Sequence, residues 1–196
     1  MKYPIQNHEA YKWFFTSTKK LVVGGKSSTQ NDELLKILKR SGEDFVVMHT
    51  SSPGSPFTII LASRTDIVKT DLEETAIFTG CFSRAWKEGK TKTTVDIFTL
   101  SQLYKTKDMK TGTWGIKGKV EKKIVSLELV LTKQNGKLRA LPEKTVKNKD
   151  ALLKIKPGKV DKADMLPKFQ MEIKEHLNQE EFMSALPAGG VSIARK

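Results

Sequence analysis

The apolar runs of this chain are short, and that limits what it can fold into more than any other feature. A stretch such as Phe57–Ala62 is among the longest. It falls far below the roughly 20 apolar residues that a membrane-spanning helix needs. Short apolar runs bounded by glycine, proline and polar turns are the size of strands. Tyr11–Thr16 and Lys20–Val23 read as two strands joined by a polar turn, and Gly24–Gly25 ends the second. Phe45–Thr50 and Phe57–Ala62 are two more, separated by Ser51-Ser52-Pro53-Gly54-Ser55-Pro56. Further strands are expected at Val95–Leu100, Thr113–Lys117 and Lys122–Thr132. In the last of these, alternate apolar residues mark one buried face. Asn135-Gly136 is a hairpin turn leading to Lys137–Leu141.

A helical period appears in three places. From Gln30 to Arg40, Leu34, Ile37 and Leu38 share a face, and Gly42 is a natural stop. Asp71 is suited to cap a helix running to about Lys87, with Phe78, Cys81, Phe82, Ala85 and Trp86 as its apolar stripe. Gly80 interrupts that stripe and implies close approach of another backbone. Near the C-terminus Phe169, Ile173 and Leu177 share a face. Asn178 and Glu181 then form a capping box before Phe182, and Pro187–Gly190 ends the helix. The stretch 143–160 is lysine-rich and reads as a mobile loop with one short strand, Leu152–Lys156. The class is therefore α+β: a mainly antiparallel sheet with two to four helices, including a C-terminal helical segment.

The chain has 196 residues, a length that suits one domain or one domain with an appendage. We expect the main domain over residues 1–160 and a helical extension over 161–196 that packs on it. The single cysteine, Cys81, forms no internal disulfide, and residues 1–10 contain no apolar signal core. The expected location is the cytoplasm, with no membrane association. The net charge is +13, and it is uneven: residues 101–160 hold 16 basic and 5 acidic side chains. Clustered positive charge attracts polyanions, nucleic acid above all.

Three segments carry candidate chemistry. Gly24-Gly25-Lys26-Ser27-Ser28-Thr29-Gln30-Asn31 runs from a strand to a helix start, as a phosphate-binding turn does and as a plain capped turn also does. Its spacing is not that of a Walker A loop. His49 stands at a strand end before Pro53-Gly54-Ser55, either as a contact to RNA or as a structural histidine. Lys105, Lys107, Lys117 and Lys119 interleave with Tyr104 and Trp114. In such a pattern lysines hold phosphates while an aromatic face stacks on an unpaired base, or the tryptophan belongs to the core. One cysteine and three scattered histidines supply no metal set, and no nucleophile–base arrangement stands out. No catalytic residue, metal or cofactor is assigned.

Together these motifs resemble the NFACT-R family, the RNA-binding domain of NFACT proteins. Gly24-Gly25-Lys26-x-x-x-Gln30-Asn31-Asp32 is similar to its GG-[RK]-x-x-x-QN-[ED] signature. His49 with Pro53-Gly54-Ser55 resembles its H-x-x-x-PGS segment, and Phe78, Ser83 and Trp86 its A-x-F-x-x-x-x-S-x-x-W helix. Thr111-Gly112-Thr113-Trp114-x-Ile116-x-Gly118-Lys119 resembles its TG-[ST]-[FW]-x-I-x-GK segment. The resemblance implies an RNA-binding protein acting on tRNA or rRNA, with the large ribosomal subunit as a further partner and ribosome-associated quality control as its setting. It looks like a stand-alone form without the N-terminal and coiled-coil domains of multidomain relatives. The residues it marks are Gly24, Gly25, Lys26, Gln30, Asn31, His49, Gly54 and Ser55. The family's acidic residue lies four positions before the histidine, whereas Asp44 lies five before His49, on the opposite strand face. Other readings are an enzyme acting on RNA or a nucleotide through the Gly-Gly loop and His49, and an adaptor using the apolar faces around Phe169 and Phe182.

Overall fold

In the computed structural model, which describes residues 4–134 and 136–194, the centre is an antiparallel sheet of six strands. Strands β1 (Lys12–Phe15) and β2 (Leu21–Gly24) form the N-terminal hairpin. Next come α1 (Ser28–Arg40), β3 (Val46–Thr50) and β4 (Thr58–Ile60). Helices α2 (Lys69–Cys81) and α3 (Arg84–Lys87) precede β5 (Lys92–Thr99). A two-stranded ribbon, β6 (Leu103–Tyr104) with β7 (Gly115–Ile116), leads to β8 (Glu121–Ser126). The main sheet runs β1-β2-β4-β3-β5-β8. A second sheet holds β9 (Leu129–Gln134), β10 (Lys137–Leu141), β11 (Ala151–Asp161) and β12 (Gly190–Ile193), in the order β10-β9-β11-β12. Helices α4 (Lys162–Ile173) and α5 (Gln179–Ala185) connect β11 to β12. The α+β class stands, with five α-helices among the described residues.

The central strands are apolar on both faces because both faces are covered. Leu21, Val23, Val47 and Ile59 pack with Leu34, Leu35 and Leu38 of α1. Val22, Met48 and Ile60 face Phe78, Trp86 and the second sheet. Within α1, Leu35 takes the place expected of Ile37, which is 38% exposed. Ser27 starts this helix by accepting the Gln30 N–H at 3.1 Å, earlier than the apolar pattern implies.

Several expectations need correction. The helix from Asp71 to Lys87 is two helices. The first begins after Val68, whose N–H donates to Asp71 at 3.0 Å from within the first turn. It ends at Cys81, because the Ser83 hydroxyl bonds Gly80 O and then caps α3 through the Ala85 N–H. A Cβ at Gly80 would lie 2.8 Å from Val125 and 2.9 Å from Thr93, so side chains of the sheet rather than a backbone require this glycine. The strand Lys122–Thr132 is β8 and β9, which belong to different sheets. The chain crosses between them at Leu127, whose N–H donates to Thr91 O. The lysine-rich stretch is not a loop with a short strand: it contains the eleven-residue β11.

Strand β12 was not foreseen. It follows the Pro187–Gly190 stop and pairs with β11. Strands β9 and β10 pair through Gln134 and Lys137, as the hairpin reading requires. Asn135 of the turn lies outside the described residues, and Gly136 has φ +73°. Helix α4 stops at Ile173, so Leu177 is buried beyond it rather than on its face. Asn178 caps α5 by accepting the Glu181 N–H, but Glu181 does not complete a capping box; its carboxylate accepts the Leu138 N–H instead. Phe169 and Phe182 are fully buried against each other, so the apolar faces of an adaptor are spent inside the protein. No helix among the described residues is long and apolar enough to cross a membrane.

Candidate nucleic-acid interface

Three loops converge on one side of the main sheet: the β2–α1 turn, the β3–β4 loop and the β6–β7 ribbon. The first is close-packed. A Cβ at Gly25 would lie 2.3 Å from Asn31 Oδ1 and 2.7 Å from its backbone nitrogen, so only glycine fits. Asn31 Oδ1 in turn accepts the Phe57 N–H at 3.3 Å and ties the turn to β4. Gln30 accepts the Lys26 N–H at 2.7 Å and donates to Ala10 O at 3.1 Å. Both amides therefore shape the loop, and the side chain left outward is that of Lys26, which is exposed.

The second loop holds His49. Its Nδ1 lies 2.7 Å from Thr50 O. A carbonyl only accepts, so Nδ1 carries the proton and Nε2 is the acceptor nitrogen of the neutral ring. The ring packs on Phe57 with centroids 4.5 Å apart. Burial holds its pKa below the ordinary value, against the opposing pull of Thr50 O, Asp96 and the Ser55 backbone. Ser55 Oγ accepts the Thr50 N–H at 3.0 Å and closes the loop. Gly54, at φ +108°, passes against Arg84, whose N–H donates to Gly54 O. The acidic neighbour of His49 is not Asp44, whose carboxylate takes the Ser101 N–H and hydroxyl. It is Asp96, the directly opposite residue on β5, which is bonded to Ser51 at 2.6 Å and Lys122 at 2.7 Å.

The third loop is pinned by Asp32 on α1. Its carboxylate accepts from Lys105 at 2.8 Å, from the Gly112 N–H at 3.0 Å and from Trp114 Nε1 at 2.7 Å. Burial alone would raise its pKa, but these bonds outweigh it and hold the carboxyl below the usual range. The Lys105 ammonium also donates to Lys110 O and Thr113 O, so all three of its donors are engaged internally. Trp114 is held at its indole N–H and is half-buried against the α1-side core, with the Lys105 ammonium 5.4 Å over its ring.

Between these loops lies a cleft of about 590 Å³. Gly25, Lys26, Asn31, His49, Gly54, Ser55 and Trp114 line it, joined by Lys12, Phe57, Phe82 and Asp96. Gly24 and Gln30 stand outside this lining, and Lys105 is half-buried and engaged in the Asp32 cluster. Lys107, Lys117 and Lys119 are exposed outside the cleft, with Lys117 over the Tyr104 ring at 5.0 Å. Sequence reasoning did not single out Asp32 as a site residue, although it stands in the Gly-Gly signature. Asp96 carries no local signal, because only the β3–β5 register sets it beside His49.

The lysine cluster is also less concentrated in space than along the chain. Lys105, Lys122, Lys123, Lys133, Lys137, Lys144 and Lys154 all pair with carboxylates. Only Glu143, the partner of Lys154, comes from the same stretch. Lys107, Lys117 and Lys119 form no ion pair among the described residues.

The profile of the NFACT protein RNA binding domain matches residues 10–118. The chain is 27% identical over 200 residues to the archaeal Rqc2 homolog aRqcH of Methanocaldococcus jannaschii. That alignment covers 96% of this chain and 29% of the relative's length. Among solved structures, the C-terminal part of the fibronectin/fibrinogen-binding protein from Streptococcus suis superposes with a TM-score of 0.50 at 20% identity. The superposition covers 62% of this chain and 46% of that one and shows a shared fold.

Proposed function

Because the chain belongs to the NFACT RNA-binding domain family, we propose that it binds RNA at the His49–Trp114 cleft. The partner would be tRNA or rRNA on the large ribosomal subunit, in the cytoplasm, in the course of ribosome-associated quality control. The observation that carries this reading is the make-up of the cleft. A half-buried tryptophan, an uncharged imidazole and an exposed lysine line a space the size of a small-ligand pocket. Trp114 offers stacking to an unpaired base, His49 Nε2 accepts from a base amino group or a ribose hydroxyl, and Lys26 meets a phosphate. The exposed Lys107, Lys117 and Lys119 add positive charge to the surface outside the cleft. The likeness to the Rqc2 homolog supports the quality-control setting.

Filter binding of structured RNA across a salt series tests this. Affinity should fall steeply and linearly on logarithmic axes, as phosphate contacts require. Trp114→Ala should cost about 1–3 kcal/mol of RNA affinity, the worth of one stacked base. Trp114→Phe keeps a ring and loses only the bond to Asp32, so it should retain most of the affinity. Affinity indifferent to salt, or equal loss in both variants, would remove the cleft as the RNA site.

A further inference from the structure

A second space, of about 390 Å³, lies between the two sheets and shares Lys12, Lys26 and Phe82 with the cleft. Its walls carry an imbalance of charge. Lys12 of β1, Lys26 of the β2–α1 turn, Lys137 and Arg139 of β10, and Lys162 of α4 face it. Against these five cations stand two carboxylates, Glu9 and Glu181. Glu9 is already paired with Lys137, and Glu181 takes the Leu138 N–H at 2.6 Å.

Among the described residues, the remaining cations form no ion pair. Lys162 donates to Met183 O at 2.6 Å and Leu186 O at 3.2 Å, and Lys26 donates to Glu9 O at 3.5 Å. Glu9 and Glu181 act on Arg139 only at longer range. Lys12 has only the Phe82 ring, 4.6 Å away. Burial, with Lys162 and Lys26 nearby, pushes its pKa down to about 8. The Arg139 guanidinium lies 3.9 Å over the Trp13 ring. Arg139 Nε and Trp13 Nε1 are both buried without a hydrogen-bond partner among the described residues. Both atoms only donate. These are unmet buried donors in residues of the cavity wall, beside a surplus of positive charge.

We propose that this inter-sheet cavity is an anion site that takes a phosphate monoester, either the terminal phosphate of an RNA or that of a free mononucleotide. Two negative charges suit the surplus of the cavity better than the single charge of an internal phosphodiester. A planar guanidinium and flanking ammoniums are the donors such a group needs. The site is assembled from both parts of the chain, since Lys12 and Lys26 fall within the matched residues 10–118 while Arg139 and Lys162 lie beyond them. It does not rest on RNA binding at the His49–Trp114 cleft.

The test titrates the full chain with adenosine 5′-monophosphate. In parallel it compares one oligoribonucleotide with a 5′-phosphate or a 5′-hydroxyl end. We expect saturable binding in at least one arm, weakened at least about tenfold by Arg139→Gln, which removes one charge-assisted bond. Lys12→Met, which keeps an apolar stem on Phe82, should weaken it similarly. NMR of the Lys12 side chain in the unaltered protein should show its titration midpoint rise from about 8 when the phosphate binds. Discrimination between the two RNA ends assigns the site to an RNA terminus, and binding of the mononucleotide alone assigns it to a free nucleotide. No binding in either arm, or binding indifferent to Arg139→Gln with the Lys12 midpoint unmoved, overturns the proposal. Salt-dependent RNA affinity that depends on Trp114 would survive that failure.

Discussion

One carboxylate fixes the geometry of the interface at the residue scale. Asp32 receives three donors from the β6–β7 ribbon, and these lie 73, 80 and 82 residues away in sequence. The Gly-Gly signature showed Asp32 as part of a pattern, but nothing local shows what such a residue holds. Asp32→Asn should destabilise the protein by about 2–4 kcal/mol in chemical denaturation, because it strands the largely buried Lys105. The pH dependence follows from the lowered carboxyl. The contribution is complete above the unfolded value of about 3.9 and is lost as pH falls through the lower folded one. The gap between Asp32→Asn and the unaltered protein should therefore close in acid. His49 has the opposite arithmetic: its folded pKa is depressed, so the unfolded chain takes up the proton first as pH falls below about 6.5. Ring-proton NMR should place its midpoint below that value, and RNA affinity should show no protonation step of His49 between neutral pH and about pH 8.

Elements were legible where a few consecutive residues decide them. The β1–β2 hairpin, α1, β3, β4 and the β9–β10 pair follow from short apolar runs and turn residues that need no distant information. The failures share one physical cause. Strands β8 and β9 read as a single alternating run, and only the Leu127–Thr91 bond directs the chain into a second sheet. The polar β11 and the short β12 have weak strand signals of their own; each is a strand because the other, with β9, supplies its ladder. That pairing is tight at two facing glycines: a Cβ on Gly158 would lie 2.5 Å from the Val191 carbonyl carbon, and one on Gly190 would lie 2.2 Å from Gly158 O. Gly158→Val should cost about 1–3 kcal/mol by overpacking. Loss of hydrogen-exchange protection should be concentrated in Val191–Ile193. Trp86 should loosen with it, since its indole N–H donates to Gly190 O. Uniform loss of protection across the chain would show instead that β12 is integral to global stability.

For the whole molecule, what matters is which charges remain available to a polyanion. The sequence displays a run of 16 basic side chains over residues 101–160, and from that pattern alone the whole run reads as an electrostatic surface. Folding redistributes it. Glu9, Asp32, Glu73, Asp96 and Glu175, all outside the stretch, come to pair with its lysines. No sequence pattern reveals this, since each pairing depends on how the sheets and helices pack. The exposed Lys107, Lys117 and Lys119 are unpaired among the described residues and lie outside the cleft, Lys119 beside Val46, Thr99 and Gln102, whereas Lys133 and Lys144 are matched by Glu175 and Glu73. Counterion release counts only cations that reach phosphates, at about 0.7–0.9 of a unit of logarithmic slope each. Replacing Lys107, Lys117 or Lys119 by Gln should therefore lower the salt slope of RNA binding by nearly one unit for each phosphate no longer neutralised. Lys133→Gln and Lys144→Gln should leave it unchanged, despite altering the net charge by the same amount. Equal slopes for all five variants would mean that RNA responds to total charge rather than to the three unpaired lysines.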